Sequence, residues 1–180
     1  MSLIGGLVGG MIGFTFLGPL GALIGSVIGS RMSGNSVRRK NPNNFDHQLA
    51  FFAALFACLA KIAKADGQVT SDEIKKIEEF ISHKFNLDSE QRDFAINIFQ
   101  IAKDDKVSFD AYAKQLASLL KSSPNSLVIF YELLFELAMA DGVLHPNEEK
   151  LLKRVPRIFG FSDAIYDQLF QKYGLKTSNF

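Results

Sequence analysis

Two short acidic motifs of the same form occur in this chain, and their side chains could bind a divalent metal ion. The first is AKADGQVTSDEI at residues 63–74, and the second is AMADGVLHPNEE at residues 138–149. Carboxylate and amide oxygens are the ligands that hard cations prefer, so this set suits Ca²⁺ or Mg²⁺ better than Zn²⁺. The candidate metal ligands are Asp66, Asp72, Glu73, Asp141, Asn147, Glu148 and Glu149.

Neither motif alone is a complete metal-binding loop. Each matches the second half of an EF-hand loop, with a glutamate six residues after the glycine. The first half of such a loop carries further oxygen ligands, but the corresponding positions here are apolar or basic: Ile62, Lys64, Leu137 and Met139. A metal site would therefore require the two turns to meet in space.

The same motifs also fit a purely structural interpretation as helix caps. Gly67 and Gly142 suit the left-handed conformation just beyond a helix end. Thr70 and Glu73 have the spacing of a capping box, and Pro146 suits the first turn of a helix. A cap of this kind contributes about 1 kcal/mol, which is enough to account for the repeat without a ligand. Both interpretations are open at this point.

The histidines and glycines of the chain do not have the spacing of a known catalytic motif. His47, His83 and His145 lie in separate segments, without the H-E-x-x-H spacing of a zinc hydrolase. The glycine-rich segment is apolar and lacks the Gly-Lys-Ser/Thr of a phosphate-binding loop. The sequence therefore predicts a protein that is not an enzyme.

The single cysteine and the two acidic pairs are expected to have structural roles. Cys58 lies within the apolar stretch FFAALFACLAKIA and is expected to be a small core residue. The pairs Asp104-Asp105 and Glu78-Glu79 are expected to be solvated helix ends and faces.

The first thirty residues are apolar and carry no charged side chain. At about 1.5 Å per residue, a helix over residues 3–30 would be about 42 Å long, which exceeds the hydrocarbon core of about 30 Å. Basic residues follow between positions 31 and 40, and such residues favour the cytoplasmic side of a membrane. The pattern predicts a single transmembrane span over residues 1–30 with the C-terminal domain in the cytoplasm. A re-entrant hairpin that turns at Gly18-Pro19 is the alternative.

Glycines recur every fourth residue in this segment, so that each row would form a groove along a helix. Such grooves allow membrane helices to approach closely, which predicts a glycine-zipper span that self-associates into a homo-oligomer. A plain anchor that merely tolerates glycine is the alternative. The residues of the two rows are Gly5, Gly9, Gly13, Gly21, Gly25 and Gly29.

Beyond a basic polar linker at residues 31–46, apolar residues recur at helical spacing almost throughout. The pattern predicts an all-α domain over residues 47–176. Its basic residues are dispersed, which argues against a nucleic-acid partner. The domain is expected to be a bundle of about seven helices, over residues 47–65, 71–84, 89–103, 109–121, 125–140, 146–159 and 163–173.

The motifs KADGQVTSDEI and MADGVLHPNEEKLL, each opening an amphipathic helix, resemble those of the TerB-like family, which is named for a tellurite-resistance protein. The whole layout is similar to the N-terminal part of a bacterial inner-membrane co-chaperone that continues into a J domain. The His-Pro-Asp of a J domain has no match here, because His145-Pro146 is followed by Asn147 within the TerB-like motif. The resemblance implies an acidic helical domain whose motif matches Asp66, Glu73, Asp141 and Glu148.

These observations predict a non-enzymatic TerB-like interaction module, tethered to the cytoplasmic face of a bacterial inner membrane. Its partners would be the membrane and other proteins, in a stress response or in co-chaperone-like recruitment, with a divalent metal as the one expected cofactor. The alternative is a structural component of a membrane assembly that forms through the glycine-rich span.

Overall fold

A computed structural model describes residues 18–29, 42–65, 67, 69, 71–139 and 142–177 of the chain. Residues 18–29 are helical and are named α1. Eight further helices follow: α2 (Pro42–Ala63), α3 (Ser71–Phe85), α4 (Ser89–Asp104), α5 (Phe109–Leu119), α6 (Pro124–Ala138), α7 (Pro146–Leu152), α8 (Val155–Phe159) and α9 (Ala164–Thr177). No strand occurs within these described ranges, which confirms the prediction of an all-α fold.

Helix α2 is the centre of the domain. Its residues 53–60 are all buried, and it contacts α4, α5, α6 and α7. A helix that is apolar on every side must be covered on every side, which explains why the other helices pack around it. Cys58 is fully buried here, as predicted for a core residue, and burial raises the pKa of its thiol.

The observed helix ends follow local capping chemistry. Asp88 caps α4 by accepting the backbone N–H of Gln91 at 2.8 Å, and the Gln91 side chain accepts the Asp88 N–H at 3.1 Å. Ser108 caps α5 through the N–H of Ala111. The helix predicted over 146–159 is divided into α7 and α8, because Pro156 lies in the first turn of α8 and cannot donate a backbone hydrogen bond to the turn before it.

No helix in the described part of the chain is both long and apolar enough to cross a membrane. The predicted span over residues 1–30 includes residues 1–17, which lie outside the described residues, so the span stays a prediction. Its second part, α1, packs against the helical domain instead of standing apart from it. Four α1 side chains belong to the hydrophobic core: Leu20, Leu23, Ile24 and Val27.

Candidate functional site

The first acidic turn links α2 to α3. The backbone N–H of Ala65 bonds to the Ile62 carbonyl at 2.9 Å, and the N–H of Gly67 bonds to Lys64 at 3.1 Å. Gly67 has a φ of 140°, a conformation that favours glycine. Asp66 lies outside the described residues, as do the side chains of Asp72 and Glu73 within α3, so their use as metal ligands stays a prediction.

The second acidic turn links α6 to α7 and closes in the same way. The N–H of Gly142 bonds to the carbonyl of Met139 at 3.0 Å, and Gly142 has a φ of 85°. At the start of α7, a carboxylate oxygen of Glu148 accepts the backbone N–H of His145 at 3.0 Å. Glu148 therefore has the capping role that its position three residues after His145 suggests. Asp141 lies outside the described residues.

Glu149 and Asn147 also have partners within the domain. The Glu149 carboxylate accepts hydrogen bonds from Lys153 at 2.7 Å and from the Tyr166 hydroxyl at 2.8 Å. The bond from Lys153, followed by that from Tyr166, holds the pKa of Glu149 below its usual value. The amide oxygen of Asn147 accepts Lys150 at 3.3 Å. Glu149 thus links α7 to α9, whereas the Asn147 contact lies within α7.

The elements around the two turns are neighbours. Helix α2, which leads into the first turn, contacts both α6 and α7, which flank the second turn. Within the part of the chain that the structure describes, however, no group of three or more His, Cys, Asp or Glu residues could hold a metal ion. A shared metal site would therefore depend on Asp66, Asp72, Glu73 and Asp141.

A second polar cluster, formed by Lys61, Asp105 and Tyr112, lies beside the first turn. Lys61 Nζ lies 2.7 Å from Asp105 Oδ1 and 3.0 Å from the Asp105 carbonyl oxygen. The Tyr112 hydroxyl donates to Asp105 Oδ2, and the N–H of Val107 donates to Oδ1 at 2.9 Å. Burial, and then the bond to Asp105, raise the pKa of Tyr112.

This Lys61–Asp105–Tyr112 cluster corrects the expectation that Asp104-Asp105 is simply a solvated helix end. Asp104 fits that description, since its side chain is 65% exposed beside Lys64. Asp105 does not, since its side chain is 21% exposed and joins three segments. The sequence signal for it was Lys61, the single charged residue within an apolar stretch, because such a residue requires a nearby partner when it is buried.

The other acidic pair, Glu78-Glu79, is also only partly solvated. The Glu78 side chain is 20% exposed and lies 3.5 Å from Arg92 of α4. His83 and His145 are exposed.

The glycines predicted for self-association fall into two groups. Gly5, Gly9 and Gly13 lie outside the described residues. Gly21, Gly25 and Gly29 lie in α1, where Gly21 is buried and the other two are half-buried. The N-terminus of α1 is fixed to α5 by a hydrogen bond of 2.7 Å from the Leu20 N–H to Gln115 Oε1.

Comparison with known proteins identifies the domain. The family model described as tellurite resistance protein TerB matches residues 52–171. The chain belongs to the TerB family. The match runs from α2 into α9 and includes both acidic turns, so the turns are part of the TerB domain itself.

The similarity extends beyond the TerB domain to the co-chaperone protein DjlA. The chain is 29% identical to DjlA of Coxiella burnetii, 32% identical to DjlA of Photobacterium profundum and 30% identical to DjlA of Escherichia coli. These alignments cover 95%, 91% and 94% of the present chain, respectively. It is homologous to the N-terminal part of these proteins. The chain spans 67%, 63% and 62% of the three relatives, respectively. No solved structure matches the chain.

Proposed function

We propose that this protein is a non-enzymatic TerB module, tethered to the cytoplasmic face of the bacterial inner membrane, which recruits chaperone-related proteins there. The observation that carries this proposal is the extent of the match to the DjlA co-chaperones. Since 95% of the chain is matched in the Coxiella protein, the similarity includes most of the uncharged N-terminal segment as well as the TerB domain. The apolar N-terminal segment and the TerB domain are thus matched together.

The chemistry of the domain supports recognition rather than catalysis. The polar groups described around the turns serve as helix caps and ion pairs, as in Glu148 with His145 and Glu149 with Lys153. Burial raises the pKa of Cys58, which makes its thiol a poor nucleophile. A folded domain of this kind presents surfaces to a partner, and the relatives that it matches are named as co-chaperone proteins.

Membrane fractionation tests the tether, but the deletion must respect the structure. Removing residues 1–30 would also remove α1, and with it Leu20 and Val27 from the core. The informative comparison is therefore the full chain against a chain that lacks residues 1–17. We expect the full chain to float with liposomes at high salt and the shorter chain to remain unbound. A full chain that stays unbound contradicts the tether.

Orientation is tested with a single accessible cysteine. Cys58 is fully buried and does not compete for labelling, while Gln168 of α9 is exposed. In cells that express Gln168→Cys, we expect a membrane-impermeant maleimide to label the protein only after the inner membrane is opened. Labelling of intact spheroplasts would place the TerB domain on the opposite side.

Recruitment is tested by binding. The full chain in lipid nanodiscs is titrated with a purified bacterial Hsp70 and, separately, with a purified J-domain protein. Saturable binding to either protein supports the co-chaperone-like role. Binding to neither protein contradicts this role and leaves only the tethered TerB domain. Empty nanodiscs provide the control for adsorption to lipid.

A further inference from the structure

The apolar helix α1 covers a surface of the TerB domain. Its buried side chains, Leu20, Leu23, Ile24 and Val27, follow the spacing i, i+3, i+4, i+7 of one helix face. Each is at most 7% exposed, and they share one hydrophobic cluster with buried residues of α2, α5 and α6. Residues 18–29 carry no charged side chain, a pattern typical of a membrane segment. Here they pack against protein side chains instead.

The N-terminus of α1 is held by a group from α5. The N–H groups in the first turn of a helix have no partner within the helix, and here that of Leu20 donates to Gln115 Oε1 at 2.7 Å. The preceding Pro19 has no N–H to satisfy. Gln115 therefore acts as a helix cap supplied from another part of the chain.

Gly18 turns the chain just before this cap. Its φ is 65°, in the left-handed region, and a Cβ atom at this position would lie 3.0 Å from Nε2 of Gln115. A continuous helix over residues 3–30 would instead need a right-handed conformation at Gly18 and would bond the Leu20 N–H within the helix. The docked position of α1 and a continuous helix through residue 18 therefore exclude each other.

We propose that the surface of the TerB domain around Gln115 is a docking site for residues 18–29 of its own chain, and that docking competes with insertion of these residues into the bilayer. The second half of this proposal rests on the membrane tether proposed above. Undocking would uncover the apolar surface that Leu20 and Val27 occupy, and would lengthen the apolar segment available to the membrane.

The balance between docking and insertion depends on two kinds of free-energy contribution: the burial of apolar side chains, and the polar and backbone interactions at the start of α1. The apolar side chains of α1 leave water in both states, so their burial favours docking and insertion to a similar extent. The polar and backbone terms differ, because only docking uses the Gln115 cap and only docking needs a left-handed residue 18. Gln115→Ala should therefore reduce the ratio of docked to undocked chains by about three- to tenfold. Gly18→Ala should reduce it by about five- to thirtyfold.

The experiment measures the distance between α1 and α5 in the full chain. Nitroxide labels are placed at Ala22→Cys, opposite the buried face of α1, and at Ser118→Cys, an exposed position of α5. Pulsed electron spin resonance then gives the populations of short and long distances in detergent micelles and in liposomes. Gln168→Ala, at an exposed position of α9, is the matched control for Gln115→Ala.

We expect a short-distance population in the unmodified background that falls in Gln115→Ala and in Gly18→Ala, is unchanged in Gln168→Ala, and decreases on transfer to liposomes. Absence of the short distance in both environments, or equal populations in all three variants, overturns the docking site. A short distance that is unchanged by lipid overturns the competition. Flotation of the same samples tests the tether separately: a chain that floats without a docked population keeps the proposed function and loses this inference.

Discussion

Lys61 and Asp105 form an ion pair of 2.7 Å that fastens the central helix α2 to the loop between α4 and α5. Their side chains are 13% and 21% exposed, so both charges are largely removed from water. Asp105 also accepts hydrogen bonds from the backbone of Val107 and the hydroxyl of Tyr112. Loss of Lys61 would leave this carboxylate in place, partly desolvated and without its counter-charge.

We therefore expect Lys61→Met to lower the free energy of unfolding by about 2–4 kcal/mol, because breaking a largely buried pair leaves one charge uncompensated. Urea unfolding of the full chain in detergent measures the change. The matched control is Lys64→Met in the turn just beyond the end of α2, whose partner Asp104 is 2.9 Å away but 65% exposed. An exposed pair of this kind contributes about 0–1 kcal/mol. Equal effects of the two substitutions would contradict a special role for Asp105.

The buried tyrosines predict an alkaline limit to stability. Burial is the main cause that raises the pKa values of Tyr112, Tyr131 and Tyr166 above the ordinary value of about 10. Because the folded-state pKa lies above the unfolded one, this stability is fully present below about pH 10 and is lost as the pH rises further. We expect tyrosinate absorbance and loss of helical circular dichroism to appear together above pH 10. Ionisation of these tyrosines in a still-folded protein would show that the hydroxyls are accessible.

The second acidic turn needs glycine for a backbone reason. Gly142 has a φ of 85°, which costs a residue with a side chain about 1–2 kcal/mol. We expect Gly142→Ala to lower the free energy of unfolding by about this amount, and Gly142→Asn to lower it less, since asparagine tolerates left-handed conformations. Thermal unfolding of the three proteins compares them. An alanine variant as stable as the original would mean that the turn can relax.

The repeated turns show how far local sequence patterns extend. Gly142 beyond a helix end and Pro146 in the first turn follow from short-range chemistry, so the sequence predicts them correctly. The start of α2 at Pro42 was missed, because the polar residues that precede Leu49 resemble a linker when judged without their neighbours.

Contacts between distant segments were harder to predict. Lys61 and Asp105 are brought together by the packing of α2 on α4, and no local rule relates positions so far apart in sequence. The sequence alone does not decide whether residues 18–29 lie in a membrane or against the domain, for a different reason. A purely apolar helix fits a lipid environment and a protein core equally well, and the decisive group, Gln115, lies 95 residues from Leu20.

The metal prediction stays open for the whole set of candidate ligands. Glu148 and Glu149 accept hydrogen bonds within the domain, whereas Asp66, Asp141 and the side chains of Asp72 and Glu73 lie outside the described residues. If these residues bind a divalent ion, calorimetric titration of the full chain with Mg²⁺, Ca²⁺, Mn²⁺ and Zn²⁺ will show one saturable site. We expect this site to be lost in Asp66→Asn/Asp141→Asn and retained in Glu149→Gln.

Circular dichroism of the Asp66→Asn/Asp141→Asn variant must show an intact fold for that comparison to hold. A flat titration of the unmodified chain with all four ions would assign the repeated turns to helix capping alone. Loss of binding in Glu149→Gln as well would instead implicate a carboxylate that also accepts hydrogen bonds from Lys153 and Tyr166.

The self-association prediction concerns the first glycine row more directly than the second. Gly21 is buried within the domain when α1 is docked, so a leucine there would disturb the core as well as any helix pairing. Gly9 does not carry this ambiguity, because it precedes the turn at Gly18.

We expect Gly9→Leu to raise the dissociation constant of oligomers of the full chain in mild detergent by about tenfold or more, since a bulky side chain fills the groove in which a second backbone would pack. Sedimentation equilibrium measures this change, with Val8→Leu as the control for added volume outside the glycine row. An unchanged dissociation constant for Gly9→Leu would leave the segment as a plain anchor, and a defined higher oligomer would favour the alternative of a membrane assembly.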